Sequence, residues 1–420
     1  MEEPLAPEPD ASSPEPPGIS GGPVPVRKAP VGTNIVVFSD GTGNSGAKAQ
    51  GTNVWALYER LERGRGAAGS TLPRQIAFYD DGVGTQTFLP LKLLGGVFGW
   101  GLYRNVRELY TSIVRCYAPG DVLYLFGFSR GAYTVRTLAG LLARYGVLRC
   151  ERFEREADLA RAIDLTCLSQ RATFAEARRV RRLGAEAAEA AEETVLLGGL
   201  AREDFHHQPT PERPYGVDVR FLGVWDTVDA VGLPFDGLAE ALNRVFQWRF
   251  PDRRVHGRVQ QARQVLSIDD ERRTLLPNLW DERRERPPAP GEPPRVEQVW
   301  FAGVHTNVGG GYDKDQLAYL SLDWMLSEAC RAGLRFPADA HARIRREADP
   351  LGLLMDSRRG LAGLYRYGPR DVAQLSAQAG SARARVHASV LERVREAPLG
   401  YAPVLLPEQV EVIEPLAAPP

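Results

Sequence analysis

Lysine is almost missing from this 420-residue chain. Lys28, Lys48, Lys92 and Lys314 are its only four, so nearly all of the 52 basic side chains are arginine. Against 53 acidic residues the formal net charge is −1, which excludes a bulk electrostatic partner such as nucleic acid. The arginine bias, with its Ala-rich stretches, reads as compositional, so an Arg cluster in the sequence carries little functional weight. Cysteine is scarce as well. Cys116, Cys150, Cys167 and Cys330 are scattered without a Cys-x-x-Cys pair, which excludes a zinc spacing and fits a reducing compartment. No apolar run approaches the ~18 residues that a spanning helix needs. The nearest stretch, residues 88–102, is broken by Lys92 and several glycines. The N-terminus is acidic and Pro-rich where a signal peptide needs a basic and then an apolar segment, so a soluble, cytoplasmic protein is expected.

What the chain does have is 43% hydrophobic residues, enough for a sizeable core without staples. Residues 1–30 are Pro-, Glu- and Gly-rich and read as a disordered tail. Residues 31–415 read as one domain. Apolar strands are predicted at 34–38, 74–79, 122–128, 219–225 and 298–304, and helices at 53–63, 102–117, 130–145, 323–332 and 338–347. Strands alternating with helices imply an α/β fold with a mostly parallel sheet flanked by helices. Residues 148–216 are rich in Ala, Arg and Glu and read as a helical insertion over that sheet.

The sharpest local feature is Gly127-Phe128-Ser129-Arg130-Gly131. Alone, Gly-x-Ser-x-Gly is weak. Here it falls where the buried strand 122–128 meets a helix, the setting in which a Ser sits on a strained turn and small flanking residues let helix and strand approach. The competing reading is an ordinary Ser N-cap. A Ser hydroxyl becomes nucleophilic when a base takes its proton and a carboxylate orients that base. Of six His, His305 alone directly follows a buried-type strand, and it opens the loop Gly309-Gly310-Gly311. Asp226 ends the strand 219–225 and gives the order Ser, Asp, His; Asp229 is its rival. An oxyanion hole needs two backbone N–H donors. Arg130 supplies one, and the loop from Ser39 to Asn44 offers Gly41 or Thr42 for the other. Asp40 reads as a loop-shaping residue.

With those residues in view, the chain resembles an uncharacterised α/β-hydrolase domain family shared with type VI secretion phospholipase effectors, the first lipase-effector family. The resemblance rests on Ser39-Asp40-Gly41-Thr42-Gly43-Asn44, Tyr79-Asp80-Asp81-Gly82-Val83-Gly84-Thr85 and Gly127-Phe128-Ser129-Arg130-Gly131-Ala132-Tyr133. It continues in Gly223-Val224-Trp225-Asp226-Thr227 and Trp300-Phe301-Ala302-Gly303-Val304-His305, and the ordered matches run from about residue 34 to 406. It implies a serine ester hydrolase of phospholipase A type, with Ser129, Asp226 and His305 at the catalytic positions and export as an effector. It also implies a phospholipid substrate and peripheral membrane contact, for which residues 89–100 and 245–250 are candidate apolar faces. One departure stands out: Asn307 occupies a position where effector members carry Asp.

No cofactor or metal is expected on this reading. Two alternatives remain: a metal-dependent phosphohydrolase using Asp40, Asp80, Asp81, Asp226 and His305 as ligands, and a catalytically silent binding module.

Overall fold

The computed structural model describes residues 32–41, 51–64, 72–81, 96–183, 196–228, 253–358, 363, 365–396 and 400–415, with side chains at 96–100 and 178–183 outside that description. Thr42, Asp229, the tail and the faces at 89–95 and 245–250 lie outside the described residues.

Among the described residues eight strands form one sheet: β1 Asn34–Ser39, β2 Gln75–Asp80, β3 Val122–Phe128, β6 Val219–Trp225, β7 Val259–Ser267, β8 Val296–Phe301, β9 Ala384–His387 and β10 Val410–Ile413. Their order is β2-β1-β3-β6-β7-β8-β9-β10. Every pairing is parallel. A short antiparallel pair, β4 Val147–Leu148 with β5 Phe205–His206, stands apart. The helices are α1 Asn53–Arg60, α2 Gly96–Cys116, α3 Arg130–Tyr145, α4 Glu156–Leu183, α5 His305–Gly309, α6 Gln316–Arg331, α7 Ala340–Glu347, α8 Val372–Gln378 and α9 Ala388–Glu396.

Because side chains alternate along a strand, β1 feeds two cores. Ile35 and Val37 pack with α2 and α3 on one face, and Val36 and Phe38 pack with α1, α6 and α7 on the other. A third cluster, built from Leu266, Trp300, Val386 and Val390, joins the β7–β9 side of the sheet to α8 and α9. The chain leaves β1 toward β2, then crosses back to pair β3 on β1's other side. That reversal opens a crevice at the carboxyl ends of β1 and β3, where ligands bind in open parallel sheets.

Within the stretch read as a helical insertion, α4 lies against α2 and α3. Leu159, Ala162, Ile163 and Cys167 of α4 pack into the α2/α3 core. Gln170 Nε2 donates to Thr137 O at 2.8 Å, which ties α4 to α3. One strand expectation needs correction. Strand β8 stops at Phe301 rather than 304, so His305 opens a short helix instead of directly following the strand. The cause is a contact with a distant segment: Asp269 Oδ2 accepts from Gly303 N at 2.6 Å and Asp270 Oδ2 from His305 N at 3.1 Å. Carboxylates replace the carbonyls a longer strand would need. In addition, β7 was not foreseen, and it inserts between the strands that carry Asp226 and precede His305.

Candidate active site

Ser129 sits at φ 57°, ψ −118°, a conformation that costs a non-glycine residue of order 1–3 kcal/mol. Surrounding contacts hold it there. Its N–H donates to Trp225 O at 3.0 Å, and its carbonyl accepts from Tyr133 N at 3.3 Å. The two motif glycines are sterically required. A Cβ at Gly131 would stand 2.0 Å from Ser39 O, and one at Gly127 would stand 2.5 Å from Gly131 O. The Ser129 side chain makes no capping bond to α3. Instead its Oγ lies 2.8 Å from His305 Nε2. The N-cap reading is therefore replaced by one in which the hydroxyl faces a base.

His305 Nδ1 is 2.5 Å from Asp226 Oδ2. An ionised carboxylate only accepts, so Nδ1 carries the proton and Nε2 is the acceptor for the Ser129 hydroxyl. The imidazole lies against the Phe128 ring, centroids 4.7 Å apart, and Phe128 in turn fills the space over Gly309, where a Cβ would be 2.1 Å from its ring.

Asp226 is completely buried and has φ 41°; with Ser129 it makes up the positive-φ non-glycine pair among the described residues. Burial alone would raise its pKa. The Arg370 guanidinium, followed by the His305 contact, outweighs burial and holds the carboxyl well below its usual range, so it stays ionised. Arg370 Nη1 donates to Oδ1 at 2.6 Å and Nη2 to Oδ2 at 2.9 Å, while Ser267 N donates to Oδ1 at 3.2 Å. Sequence reasoning missed Arg370: one arginine in an arginine-rich chain, 144 residues from its partner, leaves no local signal.

The loop after β1 lies beside this turn. Asp40 is buried. Its Oδ2 accepts from Thr52 Oγ1 at 2.5 Å and Tyr79 Oη at 2.7 Å, and its Oδ1 accepts from Gly41 N at 2.6 Å. Burial pushes its carboxyl up to about 6. Asp40 thus ties β1, β2 and the start of α1 together, and it engages the Gly41 N–H in this conformation. The Arg130 N–H stands in the first turn of α3, where backbone donors point outward from the helix.

Asn307 is fully buried and turned toward the 353–355 segment. Its Oδ1 accepts from Met355 N at 3.1 Å and its Nδ2 donates to Leu353 O at 3.2 Å. The side chain anchors that segment, and the carboxylate on His305 is Asp226.

The carboxylates of the metal alternative do not converge. Asp80 Oδ2 accepts from Ser39 Oγ at 2.8 Å and Asn105 Nδ2 at 2.7 Å, and Asp226 is filled by Arg370, Ser267 and His305. Among the described residues no group of three or more His, Cys, Asp or Glu is arranged to hold a metal ion.

Comparison with known proteins gives distant relatives. The uncharacterized protein YEL023C of Saccharomyces cerevisiae is 27% identical over 254 residues, 57% of this chain and 32% of its own length. The chain thus spans about a third of that relative. A crystal structure of an uncharacterized protein from Pseudomonas aeruginosa aligns with TM-score 0.39 and 18% identity, covering 76% of this chain and 49% of that one. The structure of the Tle1 effector bound to the VgrG spike from the type 6 secretion system aligns with TM-score 0.33 and 17% identity, over 68% and 53% of the respective chains. Residues 33–328, which hold the Ser129 turn, Asp226 and His305 but not Arg370, match the model described as T6SS, phospholipase effector Tle1-like, catalytic domain, and by that match over most of its length the chain belongs to this family.

Proposed function

We propose that the protein hydrolyses a carboxylic ester of a phospholipid through an acyl-enzyme on Ser129. The observation that carries this reading is the relay from Ser129 Oγ to His305 Nε2 at 2.8 Å and from His305 Nδ1 to Asp226 Oδ2 at 2.5 Å. His305 takes the hydroxyl proton as Oγ attacks the ester carbonyl, and Asp226 stabilises the imidazolium. The proton then passes to the leaving alkoxide, giving a lysophospholipid and an acyl-Ser129. Water attacks that ester, with His305 as base again, and the fatty acid leaves. The oxyanion is held by the Arg130 N–H and by a donor of the loop after β1, Gly41 or Thr42. For Gly41 to serve, its N–H must turn from Asp40 Oδ1 to the substrate. Membership of the Tle1-like family supports the lipid class.

Fluorophosphonate labelling tests the mechanism, and release of fatty acid from phosphatidylcholine vesicles tests the substrate. Wild type is expected to label and to release fatty acid, and Ser129→Ala to do neither. A folded wild type that does not label would overturn the serine mechanism. Labelling without release would overturn the phospholipid assignment.

A further inference from the structure

The turn that leads into His305 is clasped by Asp269 through both backbone groups of Gly303. Asp269 N donates to Gly303 O at 3.1 Å, and Asp269 Oδ2 accepts from Gly303 N at 2.6 Å. Gly303 has φ 125°, a conformation that favours glycine, and a Cβ there would stand 2.6 Å from the Asn307 Cβ. The turn is thus pressed against α5 on one side and held by Asp269 on the other. The Tyr401 hydroxyl reaches both oxygens of the same carboxylate, Oδ2 at 2.8 Å and Oδ1 at 3.0 Å. Burial and the neighbouring Asp269 charge push the phenol well above its ordinary value, so the hydroxyl keeps its proton and donates.

Tyr401 is itself tied to the far end of this helix. Arg393 of α9 lies over its ring, with the guanidinium carbon 5.0 Å from the centroid. Arg393 Nη1 donates to Pro350 O at 2.6 Å and to Gly352 O at 2.8 Å. The residues that follow, Leu353 and Met355, bond both ends of the Asn307 side chain. The contacts therefore close a circuit. It runs from Gly303 to Asp269, Tyr401, Arg393 and the 350–355 segment, then to Asn307. His305 lies between the two ends, Gly303 and Asn307, that the circuit holds. Tyr401 and Arg393 both lie beyond residues 33–328, the stretch that matches the family.

We infer that Tyr401 is a positioning residue for His305, acting through Asp269 on the turn at 303–305; this rests on His305 being the base of the proposed reaction. Tyr401→Phe keeps the ring beneath Arg393 and removes only the donor. Fluorophosphonate labelling of the full chain is followed over a range of probe concentrations, with the folded fraction of each variant taken from its melting curve. The maximal labelling rate of Tyr401→Phe is expected to fall about tenfold, less than the ~100-fold of a 1 Å misplacement, with the half-saturating probe concentration unchanged. Tyr124→Phe removes another buried hydroxyl bond, to Ala332 O at 2.9 Å, and is expected to lower the melting temperature without slowing labelling. Asp269→Ala is expected to slow labelling at least as much as Tyr401→Phe. Adding Tyr401→Phe to Asp269→Ala is expected to change nothing more, because residues acting through one contact are not additive. Rates that multiply in the double variant overturn the route through Asp269. A change confined to the half-saturating concentration overturns positioning in favour of probe binding. A folded wild type that does not label overturns the serine mechanism and this inference with it, whereas a wild type that labels no faster than Tyr401→Phe overturns this inference alone.

Discussion

Arg370 and Asp226 form a forked ion pair in which each carboxylate oxygen receives one guanidinium N–H, and both side chains are completely buried. Nη1 also donates to Ser267 O at 2.8 Å and Nη2 to Leu275 O at 2.7 Å, so the fork is fixed by backbone. The carboxylate bonded to His305 Nδ1 is therefore positioned by a residue beyond the stretch that holds Ser129, Asp226 and His305 in sequence.

Removing this partner leaves a buried, uncompensated carboxylate. Arg370→Met is expected to lose about 3–5 kcal/mol of stability in urea unfolding. Arg370→Lys keeps the charge but not the fork, and it is expected to recover part of that loss. In the folded fraction kcat should fall with KM little changed, because Arg370 acts on the base rather than on bound substrate. A Met variant as stable and as active as wild type would show that Ser267 alone holds Asp226.

The glycines of the serine turn make a sharper prediction, because one helix carries both a crowded and an uncrowded glycine. A Cβ at Gly131 meets Ser39 O at 2.0 Å and Asp40 O at 2.5 Å, both backbone atoms that cannot move alone. At Gly140, farther along α3, the nearest atoms are side-chain nitrogens at 3.5 and 3.6 Å. Gly131→Ala is expected to abolish fluorophosphonate labelling and to lower the melting temperature. Gly140→Ala is expected to keep labelling and to gain up to about 1 kcal/mol from helix propensity. Equal tolerance at both sites would contradict the close approach of α3 to β1.

These contrasts show what was readable in the sequence. Strand β3 and the serine turn were legible because a strand buried on both faces must be apolar throughout, and because only Gly fits at 127 and 131. Strand β6 with Asp226 followed the same rule. Strand β7 was hidden by its polar interior. Arg263 is buried against Glu328, and Gln264 Oε1 accepts from Thr227 Oγ1 at 2.7 Å while its Nε2 donates to Gln298 Oε1 at 3.1 Å. Those pairs satisfy polar groups inside the sheet, and a search for apolar runs passes over them. Arg370 and the turn before His305 were hidden for a related reason: each depends on a contact between segments far apart in the chain.

Asp40 provides a test by pH. Its folded value of about 6 lies above the ~4 of an unfolded chain, because burial opposes the charge. The folded state therefore binds this proton more tightly, and stability falls as pH rises from about 4 to about 6, then stays at the lower level. Asp40→Asn removes that contribution. Urea unfolding at several pH values is expected to show the wild type losing about 3 kcal/mol across this window relative to the variant. A difference that does not change between pH 4 and pH 7 would mean that the carboxyl is not titrating in the folded chain. Fluorophosphonate labelling of the same variant reports on the loop, because Gly41 N–H would then face an amide oxygen or solvent instead of a carboxyl.

Asn307 gives the last prediction. The amide is buried and uses both its ends, Oδ1 accepting from Met355 N and Nδ2 donating to Leu353 O. A carboxylate can accept the first bond but cannot make the second, and two acceptors would face each other at about 3 Å. Asn307→Asp is therefore expected to cost about 1–3 kcal/mol, the penalty of an unsatisfied buried acceptor, with more lost above neutral pH than below pH 4, where the carboxyl is protonated and can donate. Because the side chain lies on the 353–355 segment and His305 already has Asp226, labelling of Ser129 in the folded fraction should persist. Loss of labelling in a fully folded Asn307→Asp protein would instead place this position within the catalytic relay.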